Sequence, residues 1–325
     1  MSATLPDWPL FGFDDDPRQA LREARVRGRP AVLATIIALE GGGPRPVGTQ
    51  MMLSEGLASG FLSGGCLEAD VATHALNVIA DGAPRWLVYG RGSPWPDIRL
   101  LCGARIEIQL ERLLPDDAAV AMLLALADAR EPAVWLSNGS ARLCARLVAH
   151  PTSPIGFRKL FEPATRLIVL GADPTALAIA ALAAQAGFET ILVRPKGPSA
   201  GPALLGVRYN RDEPARAFEE IGLDAWTAVA VATHDPHIDH AALMAALPSR
   251  AFYVGALGAR RRLSDRQAGL RAAGMAEAAI ARMRAPIGLA IGGKAPWEVA
   301  IATLAEIVAV RLMRAEGSQG GGGAP

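Results

Sequence analysis

The chain has 325 residues, of which 51% are hydrophobic and 20% charged, and its net charge is +1. This composition is typical of a globular protein with room for two ordinary domains, and the near-neutral charge excludes the strongly basic surface of a general nucleic-acid-binding protein. No apolar run is long enough to cross a bilayer, and the first residues lack the basic and apolar regions of a secretory signal. We therefore expect a cytoplasmic protein that binds neither nucleic acid nor a membrane.

The first half of the chain predicts an α+β domain. Apolar runs indicate strands, and stretches with helical periodicity occur between them. The predicted helices are at residues 17–27, 68–80 and 117–129, and the predicted strands are at 30–38, 49–54, 58–63, 85–89, 104–110, 133–136 and 142–149.

A rigid loop between the first two predicted strands contains Arg45. Residues 41–48 have the sequence GGGPRPVG, in which prolines restrict the backbone on both sides of the arginine. A guanidinium held in this way suits an anionic group, and an arginine in a solvated loop gives the same pattern. Arg45 is thus a candidate anion-binding residue.

A second glycine-rich turn contains Cys66. Residues 63–68 have the sequence SGGCLE, at the point where a predicted strand passes into a helix. Unpaired N–H groups and the positive end of the helix dipole favour a thiolate, which makes Cys66 a candidate metal ligand, sulfur carrier or nucleophile. A small buried residue at a tight turn is the alternative. Glu68 either caps the helix or accepts a proton near Cys66.

Cys102 is the second candidate thiolate. It precedes a predicted strand in the sequence LCGA at residues 101–104, where a buried thiol at a strand end is the alternative. Cys144 has the surroundings of a core residue. Three widely spaced cysteines do not favour a disulfide framework.

The second half of the chain predicts a doubly wound parallel sheet, because strands and helices alternate. The predicted strands are at residues 167–170, 190–193, 228–232 and 252–254, and the helices are at 175–186, 213–221, 238–247, 260–273 and 297–314. We expect domains at residues 1–152 and 153–315 and a disordered glycine-rich tail at 316–325. Residues 150–156 have the composition of a linker, and residues 157–163 fit a pairing with either domain.

The first turn of the parallel sheet does not favour a standard dinucleotide site. Residues 171–176 have the sequence GADPTA, in which Asp173 replaces the glycine that lets a pyrophosphate approach the backbone. The second strand is followed by Arg194 and Lys196, where an NAD site has an acidic residue. These two cations suit a phosphate or are solvated charges at a strand end.

A further anion site is predicted at residues 255–262, which have the sequence GALGARRR. Gly258 permits close approach to the backbone, and Arg260 and Arg261 stand at the start of a helix whose N–H groups face the same point.

Three histidines lie close together at positions 234, 237 and 240. Asp235 and Pro236 between them are typical of a helix start, which favours capping or solvated histidines over a metal site.

Four signatures together resemble the XdhC/CoxI family, the accessory proteins of molybdenum hydroxylases. They occur in the family's order between roughly residues 17 and 314, and such an ordered set is more specific than one motif. They are PRPVG at 44–48, SGGCLE at 63–68, FYVGALGARR at 252–261 and APIGLAIGGK at 285–294. Two positions depart from the family pattern: Ala104 replaces a glycine after Cys102, and the turn at Gly171 has fewer glycines.

The resemblance implies an α/β protein, with an N-terminal α+β XdhC-like domain followed by a Rossmann-like doubly wound parallel-sheet domain. It implies a maturation chaperone rather than an enzyme. Such a chaperone binds molybdenum cofactor as molybdopterin or molybdopterin cytidine dinucleotide, assists its sulfuration and inserts it into a molybdoenzyme of the xanthine dehydrogenase family. The implied partners are the large subunit of that enzyme, a cysteine desulfurase and a second copy of the chain.

Carried over by position, the cofactor-binding residues are Arg45, Gly64, Gly65, Cys66, Glu68, Cys102, Gly258, Arg260 and Arg261. Cys66 and Cys102 are the possible molybdenum ligands, because a thiolate suits that metal.

Two rival functions remain open. An NADP-dependent oxidoreductase could be built on the second half, but it needs a catalytic base, and the sequence contains no Tyr-x-x-x-Lys constellation. A scaffold for the molybdoenzyme would bind the apoenzyme and no cofactor.

Overall fold

The computed structural model describes residues 5–43, 45–65, 67–93, 100, 103–147 and 156–319. The chain divides into two compact units, Met1–Pro163 and Ala164–Pro325. The first is an α+β unit with antiparallel sheets, and the second has a Rossmann-like parallel sheet, as the sequence predicts. Most of the expected linker, residues 150–155, lies outside the described residues.

The N-terminal unit begins with a 3₁₀ turn at Leu10–Phe13, which is not predicted by the sequence pattern. Its helices are α1 (Arg18–Val26), α2 (Glu68–Asp81) and α3 (Ala118–Asp128). Its strands are β1 (Ala31–Glu40), β2 (Gln50–Ser54), β3 (Leu57–Gly60), β4 (Arg85–Gly90), β5 (Arg105–Leu113), β6 (Ala133–Ser137), β7 (Arg142–Arg146) and β8 (Phe157–Phe161).

The main sheet of this unit is five-stranded and antiparallel, in the order β3-β2-β1-β5-β4. Its two faces bury alternate residues of β1, as expected for a strand covered on both sides. One face packs Val32 and Ile36 under α2, and the other packs Leu33 under α1 and α3. The sheet is therefore the rigid frame from which the connecting loops project.

A small sheet in the order β7-β6-β8 completes the unit. Ala133 pairs with Phe161 and Ser137 with Phe157 in the antiparallel β6–β8 ladder. The pairing that the sequence left open for residues 157–163 is thus with the N-terminal unit, and the two units divide after Pro163.

Buried charges connect the two sheets of this unit. The carboxylate of Glu111 on β5, only 1% exposed, accepts hydrogen bonds from Ser137 Oγ at 2.7 Å, Arg142 Nε at 2.9 Å and Trp135 Nε1 at 3.3 Å. Arg142 also donates to Asp117, the N-cap of α3, at 2.5 Å. Burial raises the pKa of Glu111, although Ser137 and Arg142 oppose that rise.

The C-terminal unit consists of alternating strands and helices around one sheet. The helices are α4 (Pro174–Gln185), α5 (Pro214–Ile221), α6 (Pro236–Ala246), α7 (Leu263–Ala272), α8 (Glu277–Ile280) and α9 (Pro296–Gln319), and a 3₁₀ turn at Arg260–Arg262 precedes α7. The strands are β9 (Arg166–Leu170), β10 (Glu189–Val193), β11 (Val207–Asn210), β12 (Thr227–Val231), β13 (Tyr253–Ala256) and β14 (Met283–Arg284).

All neighbouring strands of this sheet are parallel, in the order β11-β10-β9-β12-β13-β14. Helices α4 and α9 cover one face, and α5, α6 and α7 cover the other. The chain order reverses between β9 and β12, and ligands of open α/β sheets bind in the crevice at such a switch point. Strands β11 and β14 and helix α8 are not predicted by the sequence pattern.

The final helix extends further than predicted. Helix α9 ends at Gln319, so the first residues of the segment 316–325, expected to be a disordered tail, are helical; residues 320–325 lie outside the described residues. Trp297, Ile301 and Leu312, spaced at helical intervals, remain more than half exposed. No helix in the described ranges has the length and apolar character needed to span a membrane.

Candidate functional site

The loops that contain the predicted site residues of the N-terminal unit leave the main sheet at one end. Glu40 at the end of β1 pairs with Arg105 at the start of β5, and Arg105 also pairs with Gly90 at the end of β4. On the other side of β1, β2 begins at Gln50 opposite Thr35, and β3 ends at Gly60 opposite Met51, so this end of the sheet is staggered. The connections from β1 to β2, from β3 to α2 and from β4 to β5 thus all leave the sheet at this end.

Two glycines let the chain turn out of the sheet at this end. Gly60 ends β3 with φ +88°, and a Cβ there would lie 2.2 Å from the carbonyl oxygen of Gln50. Gly90 ends β4 with φ +84°, and a Cβ there would lie 1.9 Å from the carbonyl oxygen of Ala104. Neither position tolerates a side chain without displacing the neighbouring strand.

Residues 62–65 and Leu67 are arranged around the carboxylate of Glu68, which is 3% exposed. Glu68 Oε1 accepts from the backbone N–H groups of Leu62 at 2.9 Å and Ser63 at 2.7 Å. Its Oε2 accepts from Ser63 Oγ at 2.8 Å, Gly65 N at 3.0 Å and Leu67 N at 3.2 Å. The side chain therefore determines the shape of this turn.

Hydrogen bonding keeps Glu68 ionised. Burial alone would raise the pKa of its carboxyl, but the hydrogen bonds from Ser63 and Leu62 outweigh burial and hold the pKa below its usual value. Cys66 itself lies outside the described residues. Its neighbours Gly64 and Gly65 are exposed, with φ of +107° and +103°, and have open space where a side chain would be. Their backbone is accessible to a ligand.

Arg45 lies in the first of these loops and already has an anionic partner. Its Nη2 is 2.5 Å from Asp15 Oδ1, and its buried Nε has no hydrogen-bond partner in the part of the chain that the structure describes. Thus the arginine that the sequence assigned to an anion contacts a carboxylate of the segment before α1.

Cys102 also lies outside the described residues, but its neighbours locate the loop. Gly103 N donates to Leu100 O at 2.9 Å. A Cβ on Gly41 would lie 3.7 Å from Ala104 Cα, so the loops before Arg45 and after Cys102 approach each other closely.

In the C-terminal unit, Asp173 occupies the point where a pyrophosphate would bind in a standard dinucleotide site. Its Oδ1 caps α4 by accepting from Ala176 N at 2.8 Å, and its Oδ2 is 3.0 Å from His234 Nε2. A carboxylate that satisfies the helix terminus competes with a bound phosphate. Arg194 lines the same crevice of about 700 Å³, while Lys196 pairs with Glu213 at 3.6 Å.

A second cavity, of about 470 Å³, lies beyond the carboxyl ends of β12 and β13 and is lined in part by Gly258 and Arg262. On its wall, Asp239 accepts from Thr233 Oγ1 at 2.6 Å and Arg266 Nη2 at 2.8 Å. Burial raises the pKa of Asp239, and Thr233 and Arg266 oppose this effect.

The two arginines that the sequence predicts as anion-binding residues do not line this cavity. Arg260 and Arg261 are exposed in the 3₁₀ turn before α7, and the cavity lining contains Arg262 and Arg266 instead. Among the described residues, no group of His, Cys, Asp and Glu is arranged to hold a metal ion. Asp235 caps α6 by accepting from His237 N and Ile238 N, so the predicted helix start among the histidines is confirmed.

Several polar residues at these sites were not found from the sequence. Asp15 forms an ion pair with Arg45, and Lys159 donates a hydrogen bond to the carbonyl oxygen of Gly48. His234 forms a hydrogen bond with Asp173. The run of three aspartates at 14–16 and the alternating pattern of residues 157–161 were the only signals, and neither identifies a distant partner.

Comparisons with known proteins cover nearly the whole chain. The model of the XdhC and CoxI family matches residues 24–90, and that of the XdhC Rossmann domain matches residues 167–307. The molybdenum cofactor insertion chaperone PaoD of Escherichia coli is 34% identical over 333 residues, which cover 96% of this chain and 98% of PaoD.

Two further proteins are similar at lower identity. A protein of Bacillus subtilis described as a probable xanthine dehydrogenase subunit is 25% identical over 322 residues, covering 86% of this chain and 93% of its own. A crystal structure of a protein described as a xanthine dehydrogenase of Bacillus halodurans has a TM-score of 0.74 at 23% identity, covering 93% of this chain and 96% of that one. This second similarity concerns the fold alone.

Proposed function

The chain belongs to the XdhC and CoxI family, and on that premise we propose that it is a chaperone of the molybdenum cofactor. It binds the cofactor, assists the exchange of an oxo for a sulfido ligand, and inserts the cofactor into a molybdoenzyme of the xanthine dehydrogenase family. The observation that carries this proposal is the full-length similarity to a molybdenum cofactor insertion chaperone.

The arrangement of the N-terminal loops supports the proposal. A pterin dithiolene with a phosphate or a cytidine diphosphate needs cationic groups and backbone that it can approach closely. Arg45 and the exposed backbone of Gly64 and Gly65 lie at one end of the sheet, although the N–H of Gly65 is already bound by Glu68. The orphaned Nε of Arg45 is a donor that fits an anionic ligand. Glu68 holds the turn in place through its hydrogen bonds and does not need to contact the ligand.

Thiolates are the proposed molybdenum ligands. In the sequence, Cys66 lies between β3 and α2 and Cys102 lies between β4 and β5, and soft sulfur ligands suit a metal that must be released again. Within the C-terminal unit, Gly258, Arg260 and Arg261 are proposed as anion-binding residues for the cofactor. Whether the pterin is molybdopterin or its cytidine dinucleotide is decided by the mass of the bound species.

Sulfuration requires a sulfur donor and a client. We propose a cysteine desulfurase as the donor and the large subunit of the molybdoenzyme as the client. An oxidoreductase that uses NADP is disfavoured, because the Asp173 carboxylate caps α4 at the point where the pyrophosphate would bind.

Molybdenum and pterin content tests this function. We expect wild-type protein, purified without oxygen from cells that make the cofactor, to contain both in mass spectrometry, and Cys66→Ala to lose most of both. Cys144→Ala is the matched control, because burial raises the pKa of that core thiol to about 11 and keeps it protonated. Equal molybdenum in all three proteins, or a nicotinamide nucleotide in place of a pterin in the wild type, contradicts the proposal.

A homodimer is proposed through the exposed face of α9. Trp297, Ile301 and Leu312 fall within one narrow sector of the helix and are exposed by 56%, 54% and 53%. We expect light scattering after size exclusion to give a dimer for the wild type and a monomer for a Trp297→Glu, Ile301→Glu double variant. Leu205→Glu changes a leucine that is 95% exposed elsewhere, and it should leave the dimer intact. A monomeric wild type contradicts this part of the proposal.

A further inference from the structure

A cavity of about 360 Å³ lies beside the Arg45 loop within the N-terminal unit. Three cationic side chains, Arg45, Arg158 and Lys159, line it together with the single carboxylate of Asp15. Val47 and Phe157 form apolar parts of its wall. A concave surface with an excess of positive charge is suited to an anion.

Lys159 is held inside this cavity by β8. Its Nζ donates to the carbonyl oxygen of Gly48 at 2.5 Å and lies 5.1 Å from the centre of the Phe161 ring. Burial lowers the pKa of Lys159 to about 8, and Asp16 and Asp15 oppose this effect. An ammonium has three donors, and the described residues accept from one of them, so a ligand anion can use the others.

Arg45 also has unused donor capacity. A guanidinium presents five donors in a planar fork that matches a carboxylate or a phosphate. The ion pair with Asp15 involves Nη2, while Nε is buried and unpaired among the described residues. Leaving a buried donor without an acceptor is costly, and an anion with more oxygens than one carboxylate would satisfy it.

Asp15 is placed as a replaceable partner. Its side chain is 60% exposed, whereas Arg45 is 33% exposed. The segment before α1 is attached on both sides of it: Phe11 contacts Phe61 with ring centroids 6.3 Å apart, and Asp16 pairs with Arg18 at 2.5 Å. Asp15 can therefore leave Arg45 while the segment stays attached.

We propose that this cavity binds the phosphate group of a phosphorylated ligand between Arg45 and Lys159, and that Asp15 is an internal anion which the ligand displaces. The inference rests on the proposed function in so far as the phosphate belongs to the cofactor. Both forms of the ligand, one with a terminal phosphate and one with a nucleoside diphosphate, present a phosphoryl group to this cavity. Lys159 and Asp15 thus join Arg45 in the binding site, and Asp15 lowers its affinity for weaker anions.

Calorimetric titration of the full chain with inorganic phosphate, inorganic pyrophosphate and cytidine diphosphate tests this proposal. We expect Asp15→Asn to bind pyrophosphate about three- to tenfold more tightly than wild type, since it removes a partly exposed competing ion pair. Lys159→Met should bind it at least tenfold more weakly, and Lys159→Arg should recover most of the loss, because it restores a cation. Asp7→Asn makes the same charge change in the same segment without contacting Arg45, and should bind as wild type does.

The ligand's source follows from the wild-type affinities. Tighter binding of cytidine diphosphate than of pyrophosphate assigns the site to a nucleoside diphosphate, and equal or weaker binding assigns it to a terminal phosphate. Affinities that do not depend on Asp15 and Lys159, in variants with wild-type melting curves, overturn the proposal, as does the absence of binding in both wild type and Asp15→Asn. Molybdenum retention is measured separately, so a failed anion site leaves the chaperone function standing, and the reverse also holds.

Discussion

Glu68→Ala is expected to lower the free energy of unfolding by about 3–5 kcal/mol, because each buried donor left without an acceptor costs roughly 1–3 kcal/mol. The substitution removes both acceptor oxygens of the turn at 62–67, which serve four backbone N–H groups and the Ser63 hydroxyl. The loss stays below the full sum because the turn can open to water. Urea unfolding monitored by circular dichroism measures the loss, and molybdenum content should fall with it.

Glu68→Gln separates charge from shape. The amide keeps one acceptor oxygen and nearly the same volume, so we expect about half of the loss seen for alanine. A loss in the glutamine variant as large as in alanine would show that the charge alone matters.

The pH dependence of stability gives a second measure of the same group. Hydrogen bonds hold the pKa of folded Glu68 below its usual value of 4.5, so its contribution is complete above that value. It is lost as the pH falls through the lower, folded pKa. As the pH falls below 4.5, the free energy of unfolding should therefore decrease less for Glu68→Gln than for wild type. Parallel plots of this free energy against pH would contradict the lowered pKa of Glu68.

Glu111→Leu is expected to destabilise the N-terminal unit by about 3–5 kcal/mol, the usual cost of removing one partner of a buried ion pair. The side chain of Arg142 is only 16% exposed and would keep Asp117 as its one remaining carboxylate partner among the described residues. Ser137 Oγ and Trp135 Nε1 would also lose their shared acceptor. Chemical denaturation gives the magnitude.

The double variant Glu111→Leu, Arg142→Met is the informative control. Apolar residues of similar volume often replace a buried ion pair without loss, so we expect the double variant to be more stable than Glu111→Leu alone. Additive losses would mean that the two side chains do not depend on each other.

The pH dependence at Glu111 has the opposite sign to that at Glu68. Burial raises the pKa of folded Glu111, so the folded state binds its proton more tightly than the unfolded state does. Stability from this group is therefore greatest below the usual value of 4.5 and falls as the pH rises through the folded pKa. The free energy of unfolding of Glu111→Gln should not show this decrease as the pH rises.

Most of the fold could be predicted from local patterns. Continuous apolar runs such as β9 and β12 are typical of parallel strands buried on both faces. Proline at the first helical position marks the starts of α4, α5 and α6. By contrast, β11 has no fully buried residue, and the two-residue β14 is too short to produce a pattern.

The site was predictable only in its loops. Glycines and prolines identified the turns at Arg45 and Cys66, because turn chemistry is local. The ion pair of Arg45 with Asp15, and the contact of Lys159 with Gly48, join residues far apart in the chain, which no local pattern reveals. Glu68 was expected to cap α2 or to serve Cys66, and its five hydrogen bonds to the preceding turn became evident only from the folded backbone.

The antiparallel ladder that ends at Glu40, Arg105 and Gly90 has a consequence for how such a site can diversify. The loops that join β1 to β2 and β4 to β5 are each fastened at both ends to neighbouring strands, whose separation of about 4.8 Å is set by backbone hydrogen bonds rather than by side chains. A loop can thus gain or lose residues without moving the anchor points of its neighbours. Chains with this frame can accommodate a larger or smaller cargo by insertion or deletion in one loop, while the spacing between the loops stays constant.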